Sequence, residues 1–579
     1  MTEGGLIAQA PARRPKVRRW RISEGAVVGI LLLAAYLTVA VLLDFVFLIF
    51  DPDATSRAAN GSYVLFSRDP HLAAIGFVWN PLQSICDLVF LLFRDLWQPL
   101  ATHDMAGSLV SVICMTGAVL QVRAALAEWG VARLPRLTLV ALFALNPMIV
   151  FYAGNGMSEA LYLFTLVATV RYLARWIRQD DLRSLVYAGV ALGLCYLTRS
   201  EGAAAAVGVA VVVLLVGYRR NTGYWRSRLL TASTDAVVAL LPFAASFVGW
   251  AAASYVITGE PFAQFTSQYG TTSQLVAIGV QKPTLGAGLN FEMRAIAYLA
   301  PLLPIVLAVS VVRAWTARDR LVLAPVMVLG SALGFDLWAY LAGKIEWSMR
   351  YYIVAIPTCV LLAGVIVTPL GREGMARGQP VVRLSEGGQR SRASRWRIPR
   401  YVAAGMGAVI AVMALLPSLP ASAAGMMDKT IGREEYQLIG FVFHARPTAG
   451  DEAQMVHYRS ILRISHYIQA LHLPDGDVVV DNFYGCIPDV IMTIGDPKVF
   501  VIPNDRDFQS RLADPLAFHS RYILVPQSLG ENSLAATSRA YPTLWATGAR
   551  FATLAHEFVP AGTCADFRLY RVIGHPTTG

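Results

Sequence analysis

Apolar stretches long enough to cross a bilayer recur along this chain, separated by arginine-rich segments. Residues 25–50, GAVVGILLLAAYLTVAVLLDFVFLIF, carry one charge, Asp44. About 20 apolar residues span a hydrocarbon core, and comparable runs follow as far as residue 418. Such segments bury their backbone in lipid only as helices or closed barrels, and runs this long and continuous read as helices. Composition agrees: 55% of residues are hydrophobic and 15% charged, against about 25% charged in a soluble domain. The formal charge of +11 does not point to nucleic acid. Its positive residues cluster in short segments between the apolar runs, as they do in cytoplasmic loops.

Joining runs and arginines threads the chain about eleven times, at 25–50, 106–127, 135–153, 157–175, 183–198, 202–218, 233–256, 294–312, 321–342, 350–369 and 401–418. The inward segments are basic: Arg133 and Arg136, then Arg171, Arg175 and Arg178, then YRRNTGYWRSR, then Arg313, Arg318 and Arg320. Residues 1–24 read as a basic cytoplasmic N-terminus, because PARRPKVRRWR precedes a run too long for a signal peptide and without a small-residue cleavage site. Residues 81–99, PLQSICDLVFLLFRDLWQP, carry Asp87, Arg94 and Asp95, a pattern suited to an interfacial helix.

A transmembrane module is expected over 25–371, with an outer loop at 51–80. A cytoplasmic linker at 372–400 holds eight arginines against two glutamates, and a last span covers 401–424. The expected setting is the plasma membrane, with the C-terminal part outside.

Residues 425–579 differ in kind. Short β-like runs at 477–481, 498–502, 522–525 and 567–573 alternate with helical candidates such as CIPDVIMTIG and ENSLAATSRAYPTLWATG. That alternation predicts an extracytoplasmic α/β domain. Cys486 and Cys564 lie here; in an exported domain they pair or stay free, and spacing does not decide which. The domain either binds acceptor polymer or braces the outer loops.

The loop after the first span, DPDATSRAANGSYVLFSRDPHLAAIGFVWNPL, concentrates acids, arginines and a histidine beside the bilayer. Later outer ends add Glu159, Arg199, Glu201, Lys344, Glu346 and Arg350. Ionisable groups at membrane depth are costly and mark functional sites. Acids beside arginines suit transfer of a sugar from a polyprenyl phosphate. Cations neutralise the phosphate leaving group, and a carboxylate accepts the proton of an attacking hydroxyl. No nucleotide-binding loop is needed, and no Gly-rich phosphate loop is seen.

DATSRAANGSYVLF followed by WNPL resembles the first outer loop of the GT-C superfamily of membrane glycosyltransferases, closest to protein O-mannosyltransferases and the lipid A aminoarabinose transferase type. NPMIVFYAGNGMSEALYLF, GLCYLTRSEG, ITGEPFAQFTSQYG and WSMRYYIVAIP fit the family's later spans, so the resemblance covers about 25–370. It implies Asp53 as the acceptor-activating base, with Asp51 and Asp69 as the other acid candidates. Arg57, Arg68, His71, Lys344 and Arg350 are the phosphate-binding candidates. Trp79, Glu159, Arg199, Glu201 and Tyr269 are the sugar- or acceptor-binding candidates. Ala54 follows Asp53 where the family often has Glu, and Trp79-Asn80 stands where the family's Lys-Pro-Pro-Leu begins. The usual phosphate lysine is therefore absent from this position.

Each residue also has a plainer reading. Acids after a span often only end it, Arg68 and Asp69 suit a turn around Pro70, and Glu159 suits a helix entry. Arg350 opens a span on the outer side against the charge rule, which favours a role. His103 and Asp104 provide two ligands, too few to identify a metal site, so no cofactor is assigned and a divalent metal stays open. The leading expectation is a glycosyltransferase whose partners are a polyprenyl-phosphate sugar, membrane lipid and an extracytoplasmic glycan, lipid or protein. The alternatives are a transporter or flippase of a lipid-linked sugar and a non-catalytic family member. Transporters place polar groups at the midplane, often in inverted repeats; here these groups gather at one face and no repeat shows.

Overall fold

The computed structural model describes residues 23–369, 400–443, 449–483, 486–559 and 566–576. The basic N-terminal stretch, nearly all of the 372–400 linker, and Cys564 lie outside the described residues.

The chain is a multi-pass helical membrane protein. Among the described residues eight helices are long and apolar enough to cross a bilayer, with a ninth if the bent pair Leu285–Leu299 and Leu303–Ala317 is one span. That pair turns through 77° at Ala300-Pro301, where proline cannot continue the ladder. The expected span at 135–153 is two helices, Arg133–Ala144 and Pro147–Tyr152. Asn146 separates them, accepting from the Met148 amide at 3.1 Å and donating to Ser422 at 3.0 Å. Leu182–Thr198 and Leu82–Leu91 are shorter apolar helices. At about 1.5 Å per residue the latter is too short to cross.

The first span begins at Ser23, whose hydroxyl accepts from the Ala26 amide, and ends in a π-helical turn over Leu42–Phe47. The loop expected after it is largely a helix, Pro52–Phe66. Asp51 caps it, accepting from the Asp53 amide at 2.9 Å, and Pro52 occupies the first helical position, where its missing N–H costs nothing. This outer helix lies tightly on Leu82–Leu91: a Cβ on Gly61 would come within 2.6 Å of the Ser84 carbonyl.

The C-terminal part carries a five-stranded sheet in the order β2-β1-β3-β5-β4. β1 (Val478–Val480) lies between β2 (Phe500–Val501) and β3 (Tyr522–Pro526) and runs parallel to both. β5 (Phe567–Val572) runs antiparallel to β3, and β4 (Ala552–Phe558) antiparallel to β5. Four of these strands match expected runs. β4 was not anticipated, because its middle residues face solvent and ATLAHEF lacks an apolar alternation. Cys486 is disulfide-bonded; the pairing with Cys564 that the sequence left open falls on a residue outside those described.

The sheet and the outer helix share one core. Ala58, Ala59 and Tyr63 of the helix pack in the same cluster as Ile461, Ile464, Val478 and Ile487. Each fully buried isoleucine contributes about 1.5–3 kcal/mol, so the joint is firm. Polar contacts reinforce it: Arg68 pairs with Asp505 at 3.1 Å, the Arg506 Nε donates to Asp69 at 3.0 Å, and Asn504 donates to the Ala74 carbonyl at 2.7 Å.

Candidate active site

Three elements far apart in sequence meet at Asp53. The Asp51 cap and Pro52 set the first turn of the outer helix, which fixes Asp53 there and places Arg57 one turn later. Arg350 lies in the short 3-10 turn Met349–Tyr352, whose entry is capped by Ser348. Glu434 lies in the first turn of Arg433–Phe443, after the last span. Arg350 holds both acids, with Nη2 at 2.9 Å from Asp53 and Nε at 3.1 Å from Glu434. Ser348 also donates to Glu434 at 3.3 Å. The Arg350 side chain is 8% exposed and that of Asp53 26%, so the carboxylate is the open member of the pair.

Two cavities expose Asp53. The larger, about 430 Å³, is lined by Asp53, Arg57, Trp79, Arg199, Lys344 and Arg350, among others. The smaller, about 220 Å³, adds Asn482, Phe483 and Pro488 from the C-terminal part. Asp53, Trp79 and Arg350 line both. Arg57 lies over the Trp79 ring at 4.3 Å and donates to the Asp53 carbonyl at 2.8 Å. Trp79, standing where a lysine was expected, thus holds the Arg57 guanidinium in a cation–π contact.

Charge in the larger cavity is unevenly paired. Arg350 is taken by Asp53 and Glu434, and Arg199 by Glu159 and Glu201, each at 2.6 Å. Among the described residues Arg57 and Lys344 make no ion pair, which leaves two cations facing the space. A cavity with unpaired cations attracts an anion, and guanidinium and ammonium groups are the usual phosphate ligands.

Burial works to raise the Asp53 carboxyl, but Arg350 and Arg57 outweigh it and hold it below the ordinary carboxylate range. Asp51 goes the other way: burial, then the neighbouring Asp53 charge, push it up to about 6. The two acids therefore divide into an ionised one on the cavities and a structural cap behind it. Burial also raises Glu434 well above its usual value despite Arg350. Burial lifts Glu435, which accepts from the Tyr152 hydroxyl at 2.8 Å, to about 7.

The structure brings Asp53, Arg57, Trp79, Arg199, Glu201, Lys344 and Arg350 together around one space. Glu159 stands behind that wall, 1% exposed, as a counter-ion for Arg199. Arg68 and Asp69 are not on these cavities; they bind Asp505, Asp507 and Arg506 of the C-terminal part. His71 and Tyr269 lie on a separate groove. His103 stacks on Phe45 with ring centroids 4.8 Å apart, and among the described residues no three His, Cys, Asp or Glu side chains group to hold a metal ion. Sequence reasoning missed Glu434. Its signal was the REEY run just beyond the last span, a charged patch at a membrane edge like those singled out earlier in the chain.

Comparison with solved structures aligns nearly the whole chain with ArnT from Cupriavidus metallidurans bound to undecaprenyl phosphate, at a TM-score of 0.51 and 16% identity over 95% of this chain and 99% of that one. The apo form of the same protein gives 0.50 and 16%, over 95% and 98%. The chain shares its fold with that protein. An oligosaccharyltransferase of Archaeoglobus fulgidus aligns at 0.39 and 13%, over 93% of this chain and 72% of that one. No family model matches, and no curated protein matches in sequence.

Proposed function

We propose that the protein is a glycosyltransferase that moves a sugar from a polyprenyl-phosphate donor to an acceptor on the extracytoplasmic side of the plasma membrane. The observation that carries this reading is the position of Asp53, an ionised carboxylate facing both a cavity with two unpaired cations and a second cavity bordered by the C-terminal part. The fold likeness to a protein solved with undecaprenyl phosphate supports it.

In this reading the donor phosphate lies in the larger cavity against Arg57 and Lys344, which take over from the absent loop lysine. The acceptor hydroxyl enters through the smaller one. As its oxygen bonds to the anomeric carbon, the bond from that carbon to phosphate oxygen breaks. The electron pair leaves with polyprenyl phosphate, where the cations stabilise the charge, and the hydroxyl proton passes to Asp53. Arg350, fixed by Glu434, positions the Asp53 carboxylate and keeps it ionised. The chain crosses the membrane about eleven times with its N-terminus cytoplasmic, and residues 425–579 form an extracytoplasmic α/β domain. The basic segments between spans support this orientation.

The test is Asp53→Asn assayed with a labelled polyprenyl-phosphate sugar. Loss of transfer with retained lipid binding is expected. Full transfer would remove Asp53 as the base, and transbilayer movement of the donor without product would replace the transferase by a flippase.

A further inference from the structure

The apolar span Leu323–Leu341 contains one charged residue, Asp336. It lines the larger cavity, yet it is only 2% exposed and its Oδ2 has no hydrogen-bond partner. Among the described residues it makes no ion pair. Arg199, on the same cavity, does not answer it, because the Arg199 nitrogens donate to Glu201 and Glu159. An ionisable group within a span is costly and marks a functional site. A second side chain on this cavity is in the same condition. Gln264, in the short helix Ala263–Thr266, is 5% exposed and its Oε1 is also without a partner.

The larger cavity therefore carries unanswered groups of two kinds. Arg57 and Lys344 call for an anion, whereas an ionised carboxylate takes only hydrogen-bond donors. A bare phosphate satisfies the cations but leaves Asp336 buried and unmatched, which costs the full desolvation of that group. A lipid chain answers neither Asp336 nor Gln264. A hydroxyl-bearing ring joined to a phosphate answers both kinds. Its O–H groups donate to Asp336, and the Gln264 amide can donate or accept. The space of about 430 Å³ lies within the range of about 300–1,000 Å³ in which proteins bury small ligands.

We propose that Asp336 and Gln264 bind hydroxyl groups of the donor sugar while Arg57 and Lys344 hold its phosphate. This rests on the transferase reading and assigns the side chains that choose the sugar.

The experiment uses the full chain in detergent. Binding of bare undecaprenyl phosphate is compared with that of undecaprenyl phosphate carrying mannose, arabinose or galactose, each read by displacement of labelled undecaprenyl phosphate. At least one sugar-bearing lipid should bind about ten-fold more tightly than the bare lipid, as one added hydrogen bond to a charged group allows. Asp336→Leu, which removes the acceptor oxygens and keeps an apolar side chain in their place, should erase that margin. Bare-lipid binding in the same samples reports folding, and Gln264→Leu serves if the first variant does not fold. Equal binding of bare and sugar-bearing lipids by the unaltered protein, or an undiminished margin in a folded variant, overturns the proposal. A margin that vanishes with Asp336 in a protein that transfers no sugar would end the transferase reading and leave the sugar contact standing.

Discussion

Two arginines that line the larger cavity each hold a pair of acids, and they do different work. Arg199 is clamped by Glu159, which is shut away from any space, and by Glu201, which borders the larger cavity alone. Arg350 is clamped by Asp53 and Glu434 with similar geometry, yet Asp53 opens onto two cavities. The ion-pair chemistry is the same. What separates the two is that Asp53 borders both cavities, whereas Glu201 borders only the larger one. Breaking the Arg199 cluster should cost mainly stability, and breaking the one at Asp53 should cost mainly turnover.

The sharpest trial of that contrast is Asp53→Asn, for which a fall in transfer of about a thousand-fold is expected, within the usual range for loss of a general base, with an unfolding midpoint in detergent lowered less than by Arg199→Ala, since Glu434 still pairs with Arg350. Arg199→Ala should do the reverse. It strands two acids beside the core, and breaking such a pair costs about 3–5 kcal/mol, visible as a lowered midpoint. If Arg199→Ala proved as stable as the parent, the two clusters could not be told apart on this principle.

Lys344→Ala should raise the donor KM about ten-fold with a smaller effect on acceptor binding, the scale of one lost hydrogen bond to a charged group. An unchanged donor KM would leave Arg57 as the sole phosphate cation of the loop region.

The smallest effect concerns the joint with the C-terminal part. Burial lifts the Asp489 carboxyl to about 7, the Thr55 hydroxyl opposing this in part. A carboxyl whose pKa is raised on folding favours the folded state while protonated. Its contribution is complete below the ordinary carboxylate range and is lost as pH rises toward about 7. Asp489→Asn should therefore flatten the decline in stability between mildly acidic and neutral pH, measured as unfolding midpoint against pH. A slope identical to that of the parent would place this sensitivity elsewhere.

Much of the membrane part was legible because lipid imposes one requirement on every span, a continuous apolar run, and arginine bias orders the runs. Arg350 stood out for breaking that bias, and Asp53 with Arg57 for following a span at helical spacing. The partners of Arg68 and Asp69 were not legible. They lie 437 to 439 residues away in the chain, and no local pattern encodes a contact across that distance. Nor was the break at Asn146, since a proline after an apolar run suits either a kinked span or two helices. Glu434 was passed over because the tail was read for strands rather than as another membrane edge.

The outer helix is wedged between two partners: its first turn holds Asp53 against the bundle, while Ala58, Ala59 and Tyr63 sit among residues of the tail. Evolution therefore cannot exchange the tail as a free module. A chimera that imports another protein's C-terminal half must bring the matching face of Pro52–Phe66 with it, or the mismatched seam will tilt the very turn on which Asp53 stands.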